Sequence, residues 1–351
     1  MPTEIEKLVA AFQDPGISEL MINDDGSVYV ERAGAVLEQI SAKASAQDIA
    51  TLLKALVGDQ PGFGPQRPYA DLSAADGSRV HVIAPPLARG GVCVTIRKRP
   101  TKRPTLDELV QAGTMTQGCA GFLDFAIQQQ KNMIIVGGTS SGKTTLLSAL
   151  AAGINPKSRI LVLEDTPELA LPQSHVMYLK TRLRDVQGAP DVTLADLLVN
   201  TLRMRPDRII IGEVRGPEAS DMLQAMNVGQ EGVLSTLHAN SCREALQRLE
   251  TLVLMAGLDM PLKAVRNNIA LAVDLIVFMS RLSDGTRRVI QVAEITGIEV
   301  ENITMSDLFK TESRKSPGGV SFALKPTGAM PRFYDQLRQQ GFEPPLDFFK
   351  S

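Results

Sequence analysis

Several things are scarce in this chain of 351 residues. Cysteine is the first: there are three, Cys93, Cys119 and Cys242, with no Cys-x-x-Cys pair and no histidine at metal-binding spacing. That excludes a disulfide framework and a structural zinc site, and predicts reduced thiols in a cytosolic protein. An excess of charge is also missing. Lys and Arg number 37 against 39 Asp and Glu, for a net charge of −2. The chain as a whole is therefore not a polyanion binder, and nucleic acid is not an expected partner, although a local basic groove stays possible. Long apolar runs are lacking too. The opening "MPTEIEKLVAAFQDPG" carries acids and does not read as a signal peptide. "IALAVDLIVFM" is broken by Asp274 and is too short to span a bilayer. No internal repeat or low-complexity tract is present. These absences predict a soluble protein that meets any membrane through a partner.

What is present is globular. Apolar residues make up 44% and charged residues 22%, and the length suffices for two domains. Residues 1–98 read as a small α+β domain. Asp25-Gly26 and Asp76-Gly77 sit between alternating runs, the local signature of hairpins. A helix is expected from Ser45, with Asp48 as its capping partner. Strands joined by tight turns imply an antiparallel sheet with a helix on one face.

Residues 99–106 read as a basic, proline-containing linker that overlaps "RKRPTKRPT" (Arg97 to Thr105). Its cluster Arg97, Lys98, Arg99, Lys102 and Arg103 has three readings: a solvated linker, a nucleic-acid patch, or a positive arm toward nucleotide. From 107 to 351 apolar runs alternate with helical stretches: "MIIVGG", "RILVLED", "RIIIGEV", "GVLSTLHA", "DLIVFMSR" and "RVIQVAEI". Such β-branched runs predict an α/β domain built on a mostly parallel sheet buried on both faces. After Glu301 the pattern is mixed. "KSPGG" reads as a turn and "PRFYDQLRQQGF" as a helix, giving the expectation of a C-terminal helical tail.

The sharpest signal is "GGTSSGKTT", comprising Gly137, Gly138, Thr139, Ser140, Ser141, Gly142, Lys143, Thr144 and Thr145. It fits G-x-x-x-x-G-K-[ST] between a strand and a helix. Glycines let backbone N–H groups curl round phosphate oxygens, and the helix points its positive end at them. Lys143 is expected on the β- and γ-phosphates of ATP, and the Thr144 hydroxyl on Mg²⁺. Such a loop needs an acid at a neighbouring strand end. Glu164 and Asp165 follow "ILVL", and Glu213 follows "IIIG". His238 lies in the small polar stretch "STLHANS", where a packed and a functional role weigh equally. Arg203, Arg205, Arg208 and Arg215 are candidates to offset charge on a transferred phosphate.

Taken together, "GGTSSGKTTLL", "RILVLEDTPEL", "LRMRPDRIIIGEVRGPEASDMLQAMNVGQEGVLSTLHANS" and "EALQRLETLVLMAG" resemble the type II/type IV secretion ATPase superfamily. The nearest likeness is to the tight-adherence (Flp-type) pilus assembly ATPases, and it covers about residues 10 to 300. The resemblance implies a RecA-like P-loop NTPase domain behind the smaller α+β domain. It also implies a homohexameric ATP-hydrolysing ring at the cytoplasmic face of the inner membrane, working on platform proteins, with ATP between the domains. By motif match Gly137 to Thr145 is the Walker A loop. Glu164 is the catalytic glutamate, Glu213 the Walker B acid that also serves metal, and His238 a γ-phosphate sensor. Arg203 and Arg215 match motor-domain arginines, and Arg79, Arg89 and Arg97 match arginines that the first domain turns toward nucleotide. Two departures stand out. Gln230 replaces a frequent histidine. Ser140-Ser141 replaces a glycine-serine pair, which is tolerable if Ser140 needs no positive φ. DNA-conjugation ATPases share most of these motifs, and a weakly hydrolysing regulatory subunit is a further alternative.

Overall fold

A computed structural model describes residues 3–32, 37–41, 43–58, 67–99, 103–182, 190–257, 259–282, 284–316 and 319–350. The chain divides into two compact units, one within Met1–Lys102 and one within Arg103–Leu183 and Asp191–Ser351.

The first unit comprises α1 (Glu4–Gln13), β1 (Ile17–Ile22), β2 (Val28–Arg32), β3 (Glu38–Ser41), α2 (Ala46–Val57), β4 (Tyr69–Ser73), β5 (Arg79–Ile83) and β6 (Cys93–Arg97). Its sheet runs β3-β2-β1-β6-β5-β4, every neighbouring pair antiparallel. Gly26 and Gly77 both adopt φ 84 in the β1–β2 and β4–β5 turns, a conformation that glycine enters freely. Ser45 and Asp48 cap α2 reciprocally, as their spacing predicts. A second helix, α1, starts from the capping box Thr3–Glu6 and joins α2 over Leu20, Val30 and Val80.

The second unit comprises α3 (Leu106–Gln111), α4 (Gln117–Gln128), β7 (Met133–Gly137), α5 (Lys143–Ala152), β8 (Ile160–Glu164), β9 (Val176–Lys180), α6 (Leu194–Thr201) and β10 (Arg208–Val214). It continues through α7 (Glu218–Asn227), β11 (Leu234–Leu237), α8 (Cys242–Leu254), α9 (Leu262–Ala272) and β12 (Leu275–Arg281). It ends with β13 (Arg287–Glu299), β14 (Asn302–Ser316), β15 (Gly319–Pro326) and α10 (Phe333–Gln339). The sheet order is β15-β14-β13-β12-β7-β11-β10-β8-β9. Strands β12 through β9 in that order are parallel, and β13 to β15 extend the sheet antiparallel. Successive residues of a strand face opposite sides. Met133 and Ile135 accordingly join one apolar core, and Ile134 and Val136 the other. Burial on both faces is why these strands read as continuous apolar runs.

The tail differs from expectation. Asn302–Ser316 and Gly319–Pro326 are strands, and the helical part is confined to Phe333–Gln339 and a single 3-10 turn at Asp347–Phe349. "NITMSDLF" pays for an extended conformation by pairing with β13, where Ile303, Met305 and Phe309 meet Ile298, Ile295 and Val292. That partner is invisible in the local pattern. Pro317 and Gly318 of the expected turn lie outside the described residues, as do Pro100, Thr101 and Lys102 of the basic segment. Of its other cations, Arg97 ends β6, and Lys98 Nζ donates to Asp14 O at 2.5 Å. Arg103 opens the second unit, where its Nη1 donates to buried Ser148 of α5 at 3.1 Å. Among the described residues no helix is long and apolar enough to cross a membrane.

Candidate nucleotide site

Parallel strands bring their C-terminal ends to one edge, where ligands bind in open α/β sheets. Register places them level: Val136 pairs with Leu237, and Ile211 with Leu163. The loop 138–142 leaves β7 at this edge and turns into α5 through Gly142, φ 97. Gly137 packs flush: a Cβ there would meet Met279 O and Ser141 Oγ, both at 2.5 Å. Lys143 is buried, and its Nζ donates to the carbonyls of Gly137 and Gly138, both at 3.0 Å. Ser141 Oγ is buried with no hydrogen-bond partner among the described residues. A buried hydroxyl donor, an ammonium and a helix N-terminus meet in one loop, and all three suit phosphate.

Ser140 departs from expectation. It adopts φ 58, so the position does need the left-handed conformation that its serine disfavours by about 1–2 kcal/mol.

Glu164 ends β8 and is 5% exposed. Its Oε1 accepts the backbone N–H groups of Glu168 at 2.8 Å and Leu169 at 2.9 Å. Burial pushes the carboxyl above its usual range, against those two bonds and the charge of Arg103. Asp165, the next residue, is exposed. Glu213 owes its aim to a bulge. Between its pairings Ile211–Ser235 and Val214–Leu237, β10 holds one residue more than β11, and such an insertion re-aims side chains. Glu213 Oε1 lies 2.6 Å from His238 Nε2, and Oε2 accepts Arg215 Nε at 2.7 Å. Burial holds the His238 imidazole below its ordinary value. Glu213 opposes that shift, and the charges of Lys143, Arg215 and Arg248 reinforce it. Glu218 fixes the turn by accepting the N–H groups of Arg215 and Gly216.

Helix α5 is tied at its far end as well. Gln173 Nε2 donates to the carbonyls of Ala151, Ala152 and Ile154, and Gln128 Nε2 to that of Gly153. Thr144 is half-buried and Thr145 exposed at the first turn of this helix.

The structure thus gathers Gly137–Thr145, Glu164, Glu213, Arg215 and His238 at one sheet edge. Arg203 is elsewhere. It precedes β10, beside Met204, whose carbonyl accepts Arg159 Nε ahead of β8, so it lies at the opposite edge. Gln230 precedes β11 at that same far edge. Arg208 is buried there, donating to the carbonyls of Gly232 and Ile127, and burial pushes it down to about 10. In the first unit Arg79 and Arg97 are cross-strand partners. Arg89 lies in the loop between Ile83 and Cys93, at the other end of these five-residue strands. The three do not share one end of the sheet. Sequence reasoning missed Arg287, whose Nε donates to Ser140 O at 2.9 Å.

The family described as type II/IV secretion system protein matches residues 68–313. The chain belongs to that family. A Mycobacterium tuberculosis protein named for conjugal transfer is 37% identical over 221 residues, which are 63% of this chain and 62% of that protein. The chain therefore spans about three fifths of that family member. The type IV secretion system protein VirB11 of Brucella suis is 32% identical over 315 residues, covering 81% of this chain and 87% of that protein. The X-ray structure of the Legionella pneumophila ATPase DotB aligns with a TM-score of 0.60 at 21% identity, over 83% of this chain and 81% of that one. It shares the fold: a mostly parallel sheet behind an N-terminal antiparallel-sheet unit. The secretion ATPase superfamily expected from the motifs is thereby the family found.

Proposed function

We propose that this chain is an ATP-hydrolysing motor of a bacterial secretion or pilus assembly system, acting as a homohexamer on inner-membrane platform proteins at the cytoplasmic face. The observation that carries this reading is the meeting, at one sheet edge, of the phosphate loop, buried Glu164 and the Glu213–His238–Arg215 group. Lys143 exchanges its two carbonyls for the β- and γ-phosphates. Glu164, whose raised affinity for protons suits a general base, orients and deprotonates the attacking water. Thr144 and, because its oxygens already face His238 and Arg215, Glu213 through water would hold Mg²⁺, which neutralises phosphate charge. His238 senses the γ-phosphate through Glu213. Arg203, at the far edge of its own sheet, serves a neighbouring subunit in the ring. Movement of one unit against the other, about segment 99–106, delivers the work, and Arg79, Arg89 and Arg97 are the candidates to reach nucleotide from the first unit.

A conjugation system is the second reading, favoured by the relatives named for conjugal transfer and type IV secretion. The narrower tight-adherence reading rests on motif likeness alone.

The test is phosphate release from ATP across a protein-concentration series, with mass followed by light scattering. Specific activity should rise as a species near six subunits forms. Glu164→Gln should lower turnover at least about 100-fold. Activity that is flat in a monomeric protein would remove the ring. Salt-sensitive DNA binding would favour the conjugation reading.

A further inference from the structure

Arg287 opens β13 just past the turn from β12. Its bond to Ser140 O spans 147 residues of sequence. Ser140 is the non-glycine residue of the phosphate loop with a left-handed backbone, φ 58. A residue held there relaxes unless its surroundings over-determine it. The surroundings here are tied together by hydrogen bonds. In the β12–β13 turn Leu282 N–H donates to Thr286 O at 2.8 Å, and Asp284 Oδ1 accepts both the N–H and the hydroxyl of Thr286. β12 is the hydrogen-bonded neighbour of β7, with Met279 opposite Gly137. Arg287 Cδ and Met279 Cε both come within 3.4 Å of where a Cβ on Gly142 would sit. The Arg287 side chain makes no other hydrogen bond or ion pair among the described residues, so the Ser140 carbonyl is its one partner there.

We propose that Arg287 is a positioning residue for the phosphate loop: it holds the Ser140 peptide left-handed, so that the loop's N–H groups are aimed before nucleotide arrives. The inference rests on the nucleotide-site reading above. A charged N–H donor makes a strong bond to a carbonyl, and donors arranged in advance need no reorganisation when the anion binds. Glycine would adopt the same backbone unaided.

That gives the test. A fluorescent ADP analogue is titrated onto the full chain as wild type, Arg287→Ala, Ser140→Gly and the double variant, with thermal unfolding recorded for each. Arg287→Ala should weaken binding about tenfold. In the Ser140→Gly background the same substitution should cost less than about threefold, because the clamp is no longer needed. Unchanged binding in Arg287→Ala overturns the proposal. So does an equal loss in both backgrounds, which marks direct contact with the ligand or general destabilisation. If the wild type itself binds no nucleotide, the reading of the whole site falls, a different result from the failure of Arg287 alone.

Discussion

At the scale of single residues, His238 offers a direct measurement. The chain has three histidines, so imidazole signals are readily assigned. Titrated by NMR in the full chain, His238 should show a midpoint below 6.5, because burial disfavours its cation and Lys143, Arg215 and Arg248 repel it. The sign follows from linkage. A histidine with a depressed pKa contributes stability that is present above its unfolded value and lost as pH falls through the folded one. Glu213→Gln should push the midpoint lower still, since Glu213 is the group that raises it. A midpoint at or above 6.5 would show that Glu213 dominates instead. The sequence made His238 an even choice because its partner, Glu213, lies on a neighbouring strand. It gave no hint of Arg287, an ordinary residue after a hairpin turn. The left-handed Ser140 was equally hidden: a serine carries no mark of its φ.

At the scale of elements, the phosphate loop was the most legible part, because one stretch holds the strand, the glycines and the helix. The capping box of α2 was readable for the same reason: Ser45 and Asp48 are three residues apart. β14 and β15 were not readable, since each depends on a partner strand, β14 on β13 and β15 on β14. The bulge of β10 was hidden too, and it has a testable neighbour. A Cβ on Gly212 would come within 3.0 Å of Glu164 Cγ, so Gly212→Ala forces Glu164 to shift by a few tenths of an ångström. If Glu164 orients water, kcat should fall about tenfold or more while nucleotide affinity changes little, because a small misplacement of a catalytic group is costly. An equal loss in affinity would place Glu164 among the groups that bind ground-state nucleotide.

At the scale of the whole molecule, each unit has its own apolar core. The composition correctly pointed to a folded chain, and its near-zero charge named no partner. Magnesium ADP at about a hundred times its Kd should stabilise the second unit by about 2.7 kcal/mol. In calorimetry of the full chain this raises that unit's transition by roughly 5–10 °C. Lys143→Ala should abolish the rise, and a shift that survives it would mean that nucleotide binds elsewhere.

Helix α5 is a strut of about 15 Å, pinned at both ends. At one end Lys143 is laced into the phosphate loop; at the other, Gln173 and Gln128 grip its last carbonyls. Gln173 belongs to the segment that follows Glu164, and Gln128 closes α4. A pull on Lys143 therefore has little slack to take up: it would be carried along the helix to the opposite rim of the sheet, where Gln173 and Gln128 hold the far end.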